Sequence, residues 1–247
     1  MEQKIIPLFK SNYSIGSSIL TLNNPDSDTY PNGPKSIFSI LKENKLNTLY
    51  LLENNFNSFY KSLKYCESND INLRYGLNFL YSENSTDSCK LSIFIKNKKG
   101  YSDLIKLNSE FNDTGFLSKE NLNSLFTDNL IMSIPHYDSF IFKNTFTFSV
   151  FSDFLLKFDP VFFYEENDLP FDQIIKNNIH DLTEGKFEIQ KSKTILYFKR
   201  NDLQSFLTYK CICNRSYKER SLSNPNFPHF SSAEFCWESF LEQTNDN

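Results

Sequence analysis

Glycine is scarce in this sequence, six residues in 247, so the chain has little bare backbone with which to wrap a phosphate. No G-x-x-x-x-G-K-[ST] loop, G-x-G-x-x-G turn or G-x-S-x-G elbow occurs, and the common nucleotide-binding and serine-hydrolase signatures are thereby missing. Histidine is limited to His136, His180 and His229, few for a zinc or multimetal centre that recruits several nitrogen, sulfur and carboxylate donors. Alanine occurs once, at Ala233. The five cysteines, Cys66, Cys89, Cys211, Cys213 and Cys236, are odd in number and irregularly spaced, which argues against a disulfide scaffold and for a reducing compartment. No basic block stands out and the net charge is −4, so the electrostatic footprint of a nucleic-acid binder is lacking. The apolar run in "MEQKIIPLFK" is too short for a signal-peptide core, and no later window approaches a membrane span. A soluble, cytoplasmic protein with no membrane partner is expected.

What the chain does have is phenylalanine, 26 residues, and tyrosine, 13. With Asn, Ile and Lys also abundant and Ala and Gly rare, the pattern follows A/T-rich codons, so many Phe side chains stand where Leu or Val would serve. Short apolar runs recur as expected buried strands: Asn47–Leu52, Asn72–Tyr81, Lys90–Lys96, Asn129–Pro135, Pro160–Glu165 and Thr194–Lys199. Between them lie helical patterns, with Ile37, Ile40 and Leu41 on one face and Phe59, Leu63 and Cys66 on another. A third follows Gly100, read as a turn glycine, and sets Tyr101, Leu104, Ile105 and Phe111 near one face. Strand and helix in alternation predict an α/β fold with a mostly parallel sheet, open or closed into a barrel.

No composition break divides residues 1–247, and one domain is expected. Loop insertions are read near residues 23–34 and 84–89, and the part from 211 to 247 is less regular. Within it "SSAEFCWESF" carries a helix-start signal, a Ser at the expected N-cap and Glu234 in the first turn.

Few residues suggest chemistry. Cys211 and Cys213 have the spacing of strand neighbours, and with His229 far along a loop they read as free thiols. His136 follows an apolar strand, the place where barrel enzymes position functional groups. Glu53, Glu165, Glu166 and Asp202 each follow an expected strand, and strand ends converge on one rim of a parallel barrel. Solvated caps account for such carboxylates more simply than a working site does.

The order of these segments resembles a known family. "KKGYSDLIKLNSEF" is similar to the Gly-Tyr-x-x-Leu-x-x-Leu helix in the PHP (polymerase and histidinol phosphatase) domain of bacterial DNA polymerase III alpha subunits. "SNYSIGSSIL" resembles its Ser-x-Tyr-Ser segment, "TLYLLENNFNSFYK" its strand ending in Thr-Asp-His, and "NDINLRYGLNF" its Gly-x-Glu strand. "LSKENLNSLFTDNLIMSIPH", "ILYFKRNDLQSF" and "FSSAEFCWESF" fall in the family's order as well, so the likeness spans about Ile5 to Phe240. It implies a distorted seven-stranded PHP-type barrel, similar to a TIM barrel.

The same resemblance implies that the family's metal site is mostly gone. Ile6, Leu8 and Lys10 stand at the alternating histidine positions of the first strand, and Glu53 and Asn54 at the Asp-His pair. Asn78 replaces a ligand Glu, Gln204 a ligand His, and His136 falls near a ligand Cys. Asp202 matches a family Asp and Glu165 another carboxylate. The expectation is a degenerate PHP-like domain without a cofactor, serving DNA replication by docking a polymerase chain or a proofreading exonuclease. The alternatives are a residual phosphoesterase or exonuclease using Mn, Zn or Fe at Glu53, His136, Glu165 and Asp202, and a binder or inhibitor of a host replication subunit.

Overall fold

A computed structural model describes residues 4–25, 33–147, 149–213 and 232–245. Seven strands, β1 (Ile6–Phe9), β2 (Thr48–Glu53), β3 (Asn72–Ser82), β4 (Ser88–Ile95), β5 (Leu130–Ile134), β6 (Val161–Tyr164) and β7 (Ile189–Ile195), form a closed barrel in sequence order. The helices interleaved with them are α1 (Ile37–Glu43), α2 (Phe59–Ser68), α3 (Lys98–Thr114), α4 (Lys119–Leu125), α5 (Phe140–Phe146), α6 (Asp172–Thr183), α7 (Leu203–Cys213) and α8 (Trp237–Asn245). The α/β fold read from the alternation of strand and helix is therefore present, and of the two forms left open, an open sheet or a closed one, it takes the closed barrel. Its sheet is less parallel than expected: β1–β2, β5–β6 and β6–β7 are parallel, whereas β4 runs antiparallel to both β3 and β5.

The reversal of β4 has a local cause. The segment read as an insertion near 84–89 is a tight hairpin turn, and its last residues already belong to β4. Asn84 Oδ1 accepts from the backbone N–H groups of Thr86 and Asp87 at 3.1 and 3.0 Å, and Ser85 takes a positive φ of 63°. Side-chain acceptors of this kind stand in for a backbone turn, and a turn this short can only return the chain antiparallel.

The chain groups into two compact units. The first is Met1–Tyr75, Asn167–Leu169 and Lys193–Asn247; the second is Gly76–Glu166 and Pro170–Ser192. In the first, Ser36 caps α1 by accepting from Phe38 N at 3.2 Å, and Ile37, Phe38, Ile40 and Leu41 are buried. Trp237, at the start of α8, is buried with its ring 5.7 Å from that of Phe9 and 4.7 Å from that of Phe240.

Two expectations shift here for one reason. The apolar run Thr194–Lys199 is not the seventh strand; β7 is the more polar Ile189–Ile195, and the chain leaves the barrel after it. Leu196 N donates to Phe235 O at 3.0 Å and Trp237 N to Tyr197 O at 3.1 Å, a short parallel bridge between Tyr197 and Cys236. That pairing keeps residues 235 and 236 extended, so the helix begins at Trp237 with Glu238, not Glu234, in its first turn. Glu234 instead takes both Arg200 Nε and Nη2, at 2.7 and 2.8 Å, while Glu242 accepts from Arg200 Nη1 at 2.7 Å. These bonds hold Glu234 down to about 2, while Arg200 is pushed up by the Glu242 and Glu234 carboxylates. Residues 26–32, within the insertion read near 23–34, and residues 214–231, with His229, lie outside the described residues.

In the second unit, Asn97 caps α3 by accepting from Lys99 N and Gly100 N at 2.9 and 3.2 Å. Gly100 is thus inside the first helical turn and not in a preceding one. Its role is close approach, since a Cβ there would lie 2.3 Å from the Asn129 carbonyl oxygen. The buried stripe of α3 is Gly100, Asp103, Leu104 and Leu107, and Tyr101 and Ile105 are exposed at 37% and 38%. Among the described residues no helix is long and apolar enough to cross a membrane.

Candidate functional site

Glu53 closes β2, where alternation places Leu49, Leu51 and Glu53 on the buried side. A buried carboxylate needs donors, and two serines supply them. Glu53 Oε1 accepts from Ser11 N at 3.2 Å and from the Ser11 hydroxyl, and Oε2 accepts from the Ser14 hydroxyl. Burial pushes the Glu53 carboxyl above its ordinary range, and the serine bonds pull it only part of the way back. Ser14 Oγ in turn accepts from Asn54 N at 2.9 Å, Asn54 Oδ1 accepts from Lys10 Nζ at 3.2 Å, and Asn54 Nδ2 donates to Ser17 Oγ at 3.2 Å. The positions where the resembled family has a first-strand His and an Asp-His pair therefore form a hydrogen-bonded lattice of Lys10, Asn54 and serines around Glu53.

Asp202 lies in the same unit as Glu53 and is half-buried on a short 3-10 turn, Arg200–Asp202, where its Oδ2 accepts from Lys199 N at 2.8 Å. Gln204 is exposed in the first turn of α7. Cys211 and Cys213 correct their expected strand geometry, since both sit on α7, where a two-residue step turns side chains about 200° apart. Neither is in a disulfide, nor are the buried Cys66, Cys89 and Cys236.

His136 and Glu165 belong to the second unit. His136 follows β5 and is 1% exposed, and among the described residues neither ring nitrogen has a hydrogen-bond partner. Its Nε2 stands 3.6 Å from Asp172 Oδ1, an oxygen that already accepts from Tyr137 Oη at 2.8 Å. Glu165 is buried just beyond β6. Its neighbour Glu166 accepts from Lys176 at 2.9 Å and Lys191 at 2.7 Å. Burial raises the Glu166 carboxyl, and the two lysines more than reverse that, leaving it below its ordinary range. On the β3–β4 ladder Asn78 lies opposite Ser92, whose hydroxyl donates to Asn78 Oδ1 at 3.0 Å, and Ser92 lies opposite Ser133.

These residues do not fit the metal set of the PHP family that the sequence resembles. Ile6 and Leu8 offer no donor atom, Lys10 is a cation, and the Asn78 amide is a weaker ligand than a carboxylate. Among the described residues no group of three or more His, Cys, Asp and Glu side chains is placed to hold a metal ion. Three partners escaped the sequence reading: Ser11, Ser14 and Asp172. Ser11 and Ser14 are the two serines of the Ser-x-Tyr-Ser segment, so their signal was present without its target. Asp172 is an acidic residue in the first turn of α6, and nothing in the sequence ties it to Tyr137. No protein-family model matches the chain and no curated protein matches it.

Proposed function

We propose that this chain is a catalytically degenerate PHP-type barrel acting in DNA replication as a structural or protein-docking module, with a polymerase chain or a proofreading exonuclease as its partner. The observation that carries the reading is the environment of Glu53. Its two oxygens are taken by Ser11 and Ser14, and the neighbouring positions hold Lys10 and Asn54 bonded to each other. A side chain held this way ties the loop after β1 to the end of β2 through hydrogen bonds, which is work for a scaffold. The closed seven-strand α/β barrel and the ordered motifs support the same reading, and a barrel rim offers ample surface for a standard interface of about 800 Å² per partner.

The test is native co-purification of the tagged chain from its own cells, with the bound proteins identified by mass spectrometry. Recovery of a polymerase, clamp or exonuclease subunit at near-stoichiometric yield is expected, and recovery of none of them would sink the proposal. A second reading, residual metal-dependent phosphoesterase activity, draws on one feature: His136, buried beside Asp172 with unsatisfied nitrogens. It requires hydrolysis that falls when His136 is replaced.

A further inference from the structure

Among the described residues of the first unit, Ile15 and Tyr60 are the most exposed large apolar side chains, at 73% and 74%. They stand on neighbouring segments, the loop after β1 and the start of α2, which follows β2. Asn55 Nδ2 donates to Tyr13 O at 3.1 Å, and Lys61 Nζ lies 5.8 Å from the centroid of the Tyr13 ring. Tyr13 and Phe56, half-buried on the same two segments, add to the apolar surface. Hydrogen bonds hold it in place: Ser14 is bonded to Glu53 and to Asn54 N, Ser17 N donates to Ser14 O at 2.9 Å, and Asn57 N donates to Asn55 Oδ1 at 2.9 Å. Contiguous exposed apolar surface marks sites of protein contact, and side chains on a fixed backbone lose little further freedom on binding.

Charge selects the partner. Residues 10–19 and 54–66 contain Lys10, Lys61 and Lys64 and no Asp or Glu, in a chain of net charge −4. Lys61 and Lys64 are exposed, and among the described residues neither is in an ion pair. Lys64 lies one turn from Tyr60 on α2. Glu53 is fully buried, and the first carboxylate along α2 is Glu67, about two turns from Tyr60. The first turn of α2 has no acidic residue and holds Lys61, against the preference of the helix dipole, so positive charge is kept there at a local cost.

We infer that this surface docks an acidic protein segment, its apolar side chains resting on Ile15 and Tyr60 and its carboxylates meeting Lys61 and Lys64. The inference rests on the docking role proposed above and gives that role a place. It also gives the Glu53 cradle a task, since the cradle fixes Ser14 beside Ile15. A nucleic-acid strand suits the surface less well, because Ile15 offers no ring for a base to stack on.

The test is co-purification of the whole tagged chain from its own cells, with bound proteins coupled by a carbodiimide, which joins lysine amines to carboxylates in contact, and identified by mass spectrometry. The wild type should yield a partner linked from Lys61 or Lys64 to Asp or Glu residues of one acidic segment. The pair Ile15→Asp with Tyr60→Asp, and the pair Lys61→Glu with Lys64→Glu, should each cut its recovery about tenfold. Val150→Asp, at a 91% exposed position of the second unit, should not. All five positions are exposed, and circular dichroism checks that the fold is unchanged. A replication subunit recovered equally from the wild type and both double variants would overturn the surface and leave the docking role standing. A patch-dependent partner with no part in replication would uphold the surface and sink the replication role, whereas recovery of no partner would end both. Capture that disappears on nuclease treatment, or that yields only further copies of this chain, would also overturn the inference.

Discussion

Replacing Glu53 with Gln removes a charge from a buried site while keeping an acceptor for Ser11, and the amide can donate to Ser14 Oγ. Burial raises the Glu53 carboxyl in the folded chain, so the fold favours its protonated form. The stabilisation from that preference is complete below the ordinary value of 4.5 and is lost as pH rises through the elevated folded value. Above that window the wild-type chain carries a buried carboxylate, and Glu53→Gln does not. The substitution should therefore stabilise the protein by about 1–2 kcal/mol above that window, the scale of one poorly solvated polar group, and flatten the stability curve as pH rises above the ordinary 4.5. Glu53→Ala has the opposite sign. It strands Ser11 N and two serine hydroxyls, at about 1–3 kcal/mol for each donor that finds no water, and should cost about 3–5 kcal/mol in total. Urea unfolding at a series of pH values, followed by circular dichroism, measures both variants. If Glu53→Gln is as destabilising as Glu53→Ala across the alkaline end of the series, or leaves the pH profile of the wild type unchanged, the cradle does not work as described.

Three other outcomes are expected. Gly100→Ala places a Cβ 2.3 Å from the Asn129 carbonyl and should cost about 2–4 kcal/mol, lowering the thermal midpoint by about 4–16 °C at about 2–4 °C per kcal/mol for a chain of this size; an unchanged midpoint would show that α3 does not approach the Asn129 backbone. Arg200→Met removes the guanidinium that holds Glu234 down to about 2. Its destabilisation in a pH-resolved melt should be complete above the ordinary 4.5 and shrink as pH falls toward 2, and a constant deficit across that window would contradict the assignment. His136→Leu replaces a ring with two unsatisfied nitrogens by an apolar side chain of similar size and should raise stability by about 1 kcal/mol, whereas a loss above about 1 kcal/mol would mean that the imidazole has an essential partner.

Much of the barrel was legible because most of its strands are apolar runs. Asn47–Leu52, Asn72–Tyr81, Lys90–Lys96, Asn129–Pro135 and Pro160–Glu165 each fall on a strand within a residue or two. The seventh strand escaped for the converse reason. "IQKSKTI" is polar, with Ser192 and Lys193 fully buried, while the greasy run after it serves a bridge to residues 235–237. Periodicity also misjudged α3, because tertiary contact at Gly100 and Asp103 rotates the buried stripe away from Tyr101 and Ile105. In the candidate site the carboxylates could be listed from strand ends, but their partners could not. Glu53 meets Ser11 and Ser14 across 42 and 39 residues, and such pairings come from the fold and leave no local pattern. Cys211 and Cys213 were misplaced because a three-residue sequence does not distinguish a strand from a helix.

Whether this barrel has kept its scaffold and lost its chemistry is tested most directly by assaying the purified chain for phosphodiester and phosphomonoester hydrolysis with added Mn, Zn or Fe, alongside Glu53→Gln and His136→Leu. The account predicts no hydrolysis above buffer in any of the three proteins, with each metal in turn. A metal-stimulated rate in the wild type that drops in either variant would contradict it.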